Sequence, residues 1–318
     1  MCFTWKNRVA LKNLLAGVWT LRGAYVGCNR LVSMNIRVPA LSPSRSNDYL
    51  QCPLMFRFRT IDKLPEPPSK AAAKGTLVHW VLEHLYDEPL GKRSPAIAHG
   101  LVPAALAAVK ARSNDFESMF VDGADRAAWL DQAGTLIDRY FTVEDPNRLE
   151  PAEREVNISA VLDGSFRIKG IVDRVDVAPN GAVRIVDYKT GKSPRPQYGA
   201  SAAFQMRFYA VAMREARGIT PTMLQLVYLG DGQVLRNEPT PEELDSARSK
   251  IISVWDDIRR NAERDEWRPK TSKLCDWCSF QSVCPAFGGT APDLEPGASA
   301  RVWLEPPTLF DATGTASL

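Results

Sequence analysis

No run of about 18 apolar residues occurs in this sequence, so it offers no candidate for a membrane-spanning helix. A G-x-x-x-x-G-K-[ST] phosphate loop is also missing, so the chain is not its own nucleotide-driven motor. Charge of one sign is not in excess: 40 Lys and Arg stand against 37 Asp and Glu, a formal net charge of +3. That balance does not demand a polyanionic partner, and any groove for one must come from local placement of Lys and Arg. What is present is ordinary for a folded protein. Hydrophobic residues make up 45% and charged residues 24% of 318 positions, which excludes disorder as the whole answer and allows one large domain or two modest ones. A soluble, cytoplasmic protein is expected.

Residues 1–33 are basic, contain no Asp or Glu, and include a loosely apolar stretch from Leu11 to Leu21. They lack the clean apolar core and small-residue cleavage site of a targeting peptide. Met34 stands just ahead of the first motif, so these residues read as a non-native or disordered extension. The main domain is expected over 34–270 with a helical insertion at about 95–145, then a cysteine segment at 271–287 and a disordered tail at 288–318, where Gly, Pro, Ala, Ser and Thr dominate.

Ser42-Pro43 is a cap followed by proline at the first helical position and predicts a helix from Pro43 through Phe56, with Cys52 on it and Pro53 kinking or ending it. Leu77, Val81, Leu82 and Leu85 recur at helical spacing, and His79 and Glu83 share one side of that helix. From Glu155 to Lys189 the period changes to two, with turns at Asp163-Gly164 and Asn180-Gly181. A helix from about Ser201 to Arg217, a strand near Leu224 to Leu229 and an amphipathic helix from about Pro241 to Glu263 follow, giving an α/β order.

The segment Ile171 to Lys189 carries the most chemistry. The turn Ala178-Pro179-Asn180-Gly181-Ala182 suits a three-residue loop with a bulge, because Pro favours the first central turn position and Gly takes the left-handed one. That loop sets Asp173 opposite Asp187, whereas a two-residue loop would put them out of opposition. Alternation then groups Ile171, Asp173, Val175 and Val177 with Val183, Ile185, Asp187 and Lys189 on a core-directed face. Arg174, Asp176, Arg184 and Tyr188 fall on the other face, toward solvent or a polar contact. Two carboxylates on an apolar face each cost several kcal/mol unless compensated. A divalent cation such as magnesium is one compensation; a buried Asp–Lys ion pair is the other.

These residues resemble a known family. Asp173 in Gly170-Ile-Val-Asp-Arg-Val-Asp176, followed by Asp187-Tyr188-Lys189, is similar to the metal-binding core of PD-(D/E)XK nucleases. Gly75-Thr-Leu-Val-His79 resembles the first motif of the RecB-like branch, and Gln205-Met-Arg-Phe-Tyr209 its Q-x-x-x-Y motif. The resemblance spans roughly residues 40–285. It implies a restriction-endonuclease-like core, a mixed central sheet flanked by helices, with one or two Mg2+ or Mn2+ ions held by His79, Asp173 and Asp187. It further implies that Lys189 acts in catalysis with the two aspartates, and that Gln205 and Tyr209 stand on the nucleic-acid side. Glu83 is a further candidate, through water; Glu155 and Asp176 rank below it.

Cys275-x2-Cys278-x5-Cys284 suggests a metal site, yet no further Cys or His follows Cys284. A fourth ligand must come from elsewhere, and zinc and iron–sulfur both accept four thiolates. The resemblance singles out Cys52, with a [4Fe-4S] cluster that joins a C-terminal segment to the N-terminal helix; zinc is the rival. The implied activity is a metal-dependent DNA exonuclease in recombination, repair or related processing, acting on single strands or free ends. The alternative is a catalytically silent or complex-dependent nucleic-acid-binding subunit that partners a helicase or CRISPR adaptation machinery.

Overall fold

The computed structural model describes residues 39–112, 115–195 and 199–303. The extension at 1–33 and the end of the expected tail, 304–318, lie outside the described residues.

Local chemistry sets the element ends. Ser42 Oγ accepts the Arg45 N–H at 3.3 Å and Pro43 opens helix α1, Pro43–Gln51. The helix stops one residue before Pro53, because the proline ring disfavours helical backbone in the residue ahead of it. Cys52 is therefore extended, at φ −160° and ψ 114°, and α2, Pro53–Arg57, starts afresh. Of the two outcomes expected at Pro53, a kink or an early end, the structure has the second, and Cys52 sits at the break.

Helices α3 (Lys70–Leu85), α4 (Pro95–Ala111) and α5 (Gly123–Val143) come next, before the sheet begins in earnest. The sheet has six strands: β1 (Ala40–Leu41), β2 (Glu153–Leu162), β3 (Phe166–Val177), β4 (Val183–Lys189), β5 (Met223–Tyr228) and β6 (Gln233–Asn237). Helices α6 (Ala200–Arg217) and α7 (Pro241–Arg264) complete the set. β2 runs antiparallel along one edge of β3, while the other edge is shared by β1, parallel at Arg167 and Ile168, and β4, antiparallel at 174–177. The mixed α/β sheet matches the expected class; β1 and β6 were not foreseen.

Both faces are covered. On one, Val156, Ile158, Val175 and Ile185 pack with Phe208, Val211, Ile251 and Trp255 of α6 and α7. On the other, Val186, Tyr188, Val227 and Leu229 meet Leu77, Val81, Trp129 and Ile137 of α3 and α5. The second face is polar in one place, and there the polar contact is internal. Arg174 is 1% exposed and donates to both carboxylate oxygens of Glu144, at 2.6 and 2.8 Å, and to the hydroxyls of Tyr86 and Tyr188.

The chain after α7 returns to the end of α1: Trp267 stacks on Phe56 at 5.6 Å, Phe280 meets Phe58 at 5.3 Å, and Lys270 Nζ donates to Leu50 O at 2.8 Å. The tail expected from residue 288 is packed as far as Trp303. Ala298 and Val302 are buried, and Arg301 donates to Ile61 O. Ser299 donates to Asp265 and Trp303 meets Trp255 edge-on, so side chains of a short helical turn anchor a segment whose composition reads as a linker.

Candidate active site

The hairpin between β3 and β4 closes as its turn chemistry requires. Ala178 N–H donates to Ala182 O at 2.9 Å, and Gly181 takes φ +83°, a conformation that glycine adopts at no steric cost. Val175 pairs with Ile185 and Arg174 with Val186. Continuing that register by one residue sets Asp173 across from Asp187. The strands part at this point, and the Tyr188 N–H donates to Asp173 Oδ2 at 2.7 Å.

The same register logic applies on the other side of β3. Arg154 pairs with Arg174 and Val156 with Val172, so Glu155 falls opposite Asp173. Glu155 is not in a regular ladder: its φ is +46°, in the left-handed region that a side chain with Cβ rarely adopts. β3 slips here too. Val172 and Val175, three residues apart, are both buried in the α6 side of the core, while Ile171 and Val177 are 45% and 50% exposed. Strict alternation had put Ile171 and Val177 on the core face; the slip at Asp173 and the sheet's end turn them out.

The outcome is a row of three carboxylates, Glu155, Asp173 and Asp187, across three adjacent strands. His79 reaches the row from α3, with Nδ1 3.4 Å from Asp173 Oδ2. Among the described residues, His79, Glu155 and Asp173 are the group whose ligand atoms all lie within 4.8 Å of one another. Glu155, ranked low from the sequence, is thus central. The turn at Asp163-Gly164 could have revealed it, since Leu162 pairs with Phe166 and the count back from there leads to Glu155 opposite Asp173. Glu83 lines the adjoining cavity with Glu155 and His79. Asp176 is elsewhere, bound to Arg174 at 3.1 Å and Arg184 at 2.8 Å.

From α6, Gln205 ties the rest together. Its Nε2 donates to Asp187 Oδ1 at 3.1 Å and to the Tyr209 hydroxyl at 2.8 Å, and its Oε1 accepts from Lys189 Nζ at 2.9 Å. Lys189 Nζ also lies 2.6 Å from Asp187 Oδ2, so the buried ion pair foreseen as an alternative is present. Tyr209 approaches β3 closely because Gly170 has no Cβ; one built there would sit 2.6 Å from the ring.

The crowding of acids governs the electrostatics. Burial, and then the Asp173 charge, push Asp187 up to about 6 against the opposing pull of Lys189. Burial and Asp173 likewise push Glu155 up to about 7. Burial lowers His79, but the charges of Asp173, Asp187 and Glu155 outweigh it and raise the imidazole to about 9. One lysine and one imidazolium do not offset three carboxylates. Asp187 Oδ2 is buried without a hydrogen-bond donor in good geometry. A nitrogen and several hard oxygens, partly buried and short of positive charge, fit a divalent cation.

The four candidate thiols come together as well. Cys52, Cys275, Cys278 and Cys284 are all partly buried and line one cavity. Lys270 N–H points at Cys52 Sγ at 3.4 Å and Ser272 N–H at Cys275 Sγ at 3.3 Å.

The model of the PD-(D/E)XK nuclease superfamily matches residues 40–285. The chain belongs to that superfamily. Gene 69 protein of Mycobacterium phage L5 is similar at 23% identity, over 79% of this chain and 97% of that protein. CRISPR-associated exonuclease Cas4 of Aeropyrum pernix is similar at 29% over 37% of this chain and 59% of its own. Among solved structures, an exonuclease-described protein from Eubacterium rectale shares the fold, with a TM-score of 0.52 at 16% identity over 92% of this chain and 100% of that one. The nuclease reading therefore stands at the level of the superfamily. No helix among the described residues is long and apolar enough to cross a membrane.

Proposed function

We propose that this PD-(D/E)XK nuclease is a metal-dependent exonuclease that hydrolyses phosphodiester bonds of DNA, in recombination, repair or related processing. The observation that carries the reading is the three-carboxylate row joined by His79 and faced by Lys189. His79, Glu155, Asp173 and Asp187 would hold Mg2+ or Mn2+. When bound, such an ion supplies Lewis acidity toward the phosphate and lowers the pKa of water. Lys189, held by Gln205 and Asp187, is aimed to stabilise negative charge that develops on the phosphate oxygens or to orient the attacking water. Gln205 and Tyr209 keep that lysine and Asp187 in register on the nucleic-acid side.

Cys52, Cys275, Cys278 and Cys284 would hold a [4Fe-4S] cluster. In support, the four thiols line one cavity, and the Lys270 and Ser272 backbone N–H groups point at Cys52 Sγ and Cys275 Sγ; zinc, which also accepts four thiolates, is the rival.

The test uses protein purified without oxygen and given Mg2+ or Mn2+ with end-labelled linear or circular single-stranded DNA. Linear strands should be shortened from an end and circles left whole. Digestion of circles at the same rate would make the protein an endonuclease, and absence of cleavage with either ion would remove the enzymatic reading.

A further inference from the structure

Two cavities flank the carboxylate row, and they differ in their lining. The one beside His79 has a volume of about 290 Å³ and is lined by Glu83, Glu155 and Arg112. The other, on the Gln205 and Tyr209 side, has a volume of about 480 Å³ and no carboxylate in its lining. Ser42, the cap of α1, and Ser44 and Asn47 within it supply hydroxyl and amide groups to it, Asn157 of β2 another amide, and Lys169 of β3 an ammonium group. Ile171 adds an apolar surface that is 45% exposed.

The fold makes this cavity deliberately open. β1 covers β3 at Arg167 and Ile168 and β4 covers it from Arg174 onward, so among the described residues the edge of β3 between them has no strand partner. Asn157 and Ile171 pair across the β2–β3 ladder, two residues from Glu155 and Asp173. Strand geometry puts them about 7 Å from the carboxylate row, and a cavity of several hundred Å³ takes one small-molecule-sized group.

We propose that this cavity seats one unpaired nucleotide, the neighbour of the phosphodiester being cut. Ser44 and Asn47 receive its phosphate and sugar, and its base rests on Ile171. The seat rests on the nuclease reading above and adds the side from which the strand arrives.

The test is Ser44→Asp with Asn47→Asp. Ser44 is in the first turn of α1, where an acidic side chain favours the helix, and an unchanged melting temperature of the pair shows that a fall in binding does not come from a weakened fold. Affinity for a fluorescent oligothymidine is measured with Ca2+ in place of Mg2+. The pair should weaken binding by about tenfold or more, on the scale of lost phosphate contacts, and Ile171→Ser should weaken it severalfold. Two aspartates on the exposed face of α5, Ala127→Asp with Ala128→Asp, correct for added charge. A loss no greater than in that control pair overturns the seat, as does a wild-type chain with no affinity for oligothymidine. Cleavage by the wild type, assayed in parallel, separates the two levels: cleavage with unaltered binding in the variants removes the seat and leaves the nuclease.

Discussion

At the residue scale the site is a frustrated cluster that a cation would relieve. His79, Glu155 and Asp187 all hold their protons to higher pH than usual, at about 9, 7 and 6. Each such group stabilises the fold while protonated and loses that contribution as pH rises through its folded value. Metal-free protein should therefore melt at progressively lower temperature from the ordinary carboxylate range near about 4 up to about 9, and Mn2+ should abolish most of that slope. Because the ion must displace these protons, calorimetry in buffers of different ionisation enthalpy should record roughly one to two protons released per ion at pH 7; none would contradict the ligand set. Glu155 adds a backbone test. Its left-handed φ costs about 1 to 2 kcal/mol for a residue with Cβ, so Glu155→Gly should raise the melting temperature of metal-free protein while weakening metal binding. A variant that melts lower and binds Mn2+ normally would remove both claims. His79→Ala should reduce cleavage less than Asp187→Ala and shrink the advantage of manganese over magnesium, since it removes the nitrogen ligand.

At the element scale, hairpins and caps explain what could be read in advance. The three-residue turn at Pro179-Asn180-Gly181 sets the register, and with it Asp173 against Asp187, because proline and glycine leave the backbone few choices. Ser42-Pro43 marks the start of α1 for the same reason. Glu155 was less legible because its importance depends on counting back through a second hairpin and on a break in alternation that no periodicity reports. The inward role of Arg174 was hidden too, since a charged residue on the polar face of a strand looks solvated until α3 and α5 are laid over it. That network gives a prediction. Arg174→Ala leaves the part-buried Glu144 without its ion-pair partner and Asp176 with Arg184 alone, and should destabilise the fold by about 3 kcal/mol, as measured by urea unfolding. Gly170→Ala is different. It drives a methyl group into the Tyr209 ring, so it should depress cleavage through the displaced Gln205 and Tyr209 side chains more than it depresses stability.

At the scale of the whole molecule, the cysteine segment ties the last part of the chain to the break between α1 and α2. Only Pro53 in the sequence hinted at that break, and the return of the C-terminal segment through Trp267 and Phe280 had no local signal at all. The cluster proposed at Cys52 and Cys275 would close a very long loop, which would restrict the unfolded chain strongly. Loss of any of the four thiols should lower the melting temperature of the entire domain, and anaerobic protein should contain about four irons and four sulfides per chain; one zinc and no iron would replace the cluster with a zinc staple. The most direct measurement is cleavage of end-labelled single-stranded DNA with Mn2+ by wild-type protein and by Asp187→Ala, with binding of the same strand measured in parallel. Wild-type cleavage that is lost in Asp187→Ala with binding retained is the expected result. Equal cleavage by both proteins would contradict the assignment of the carboxylate row as the metal-dependent active site.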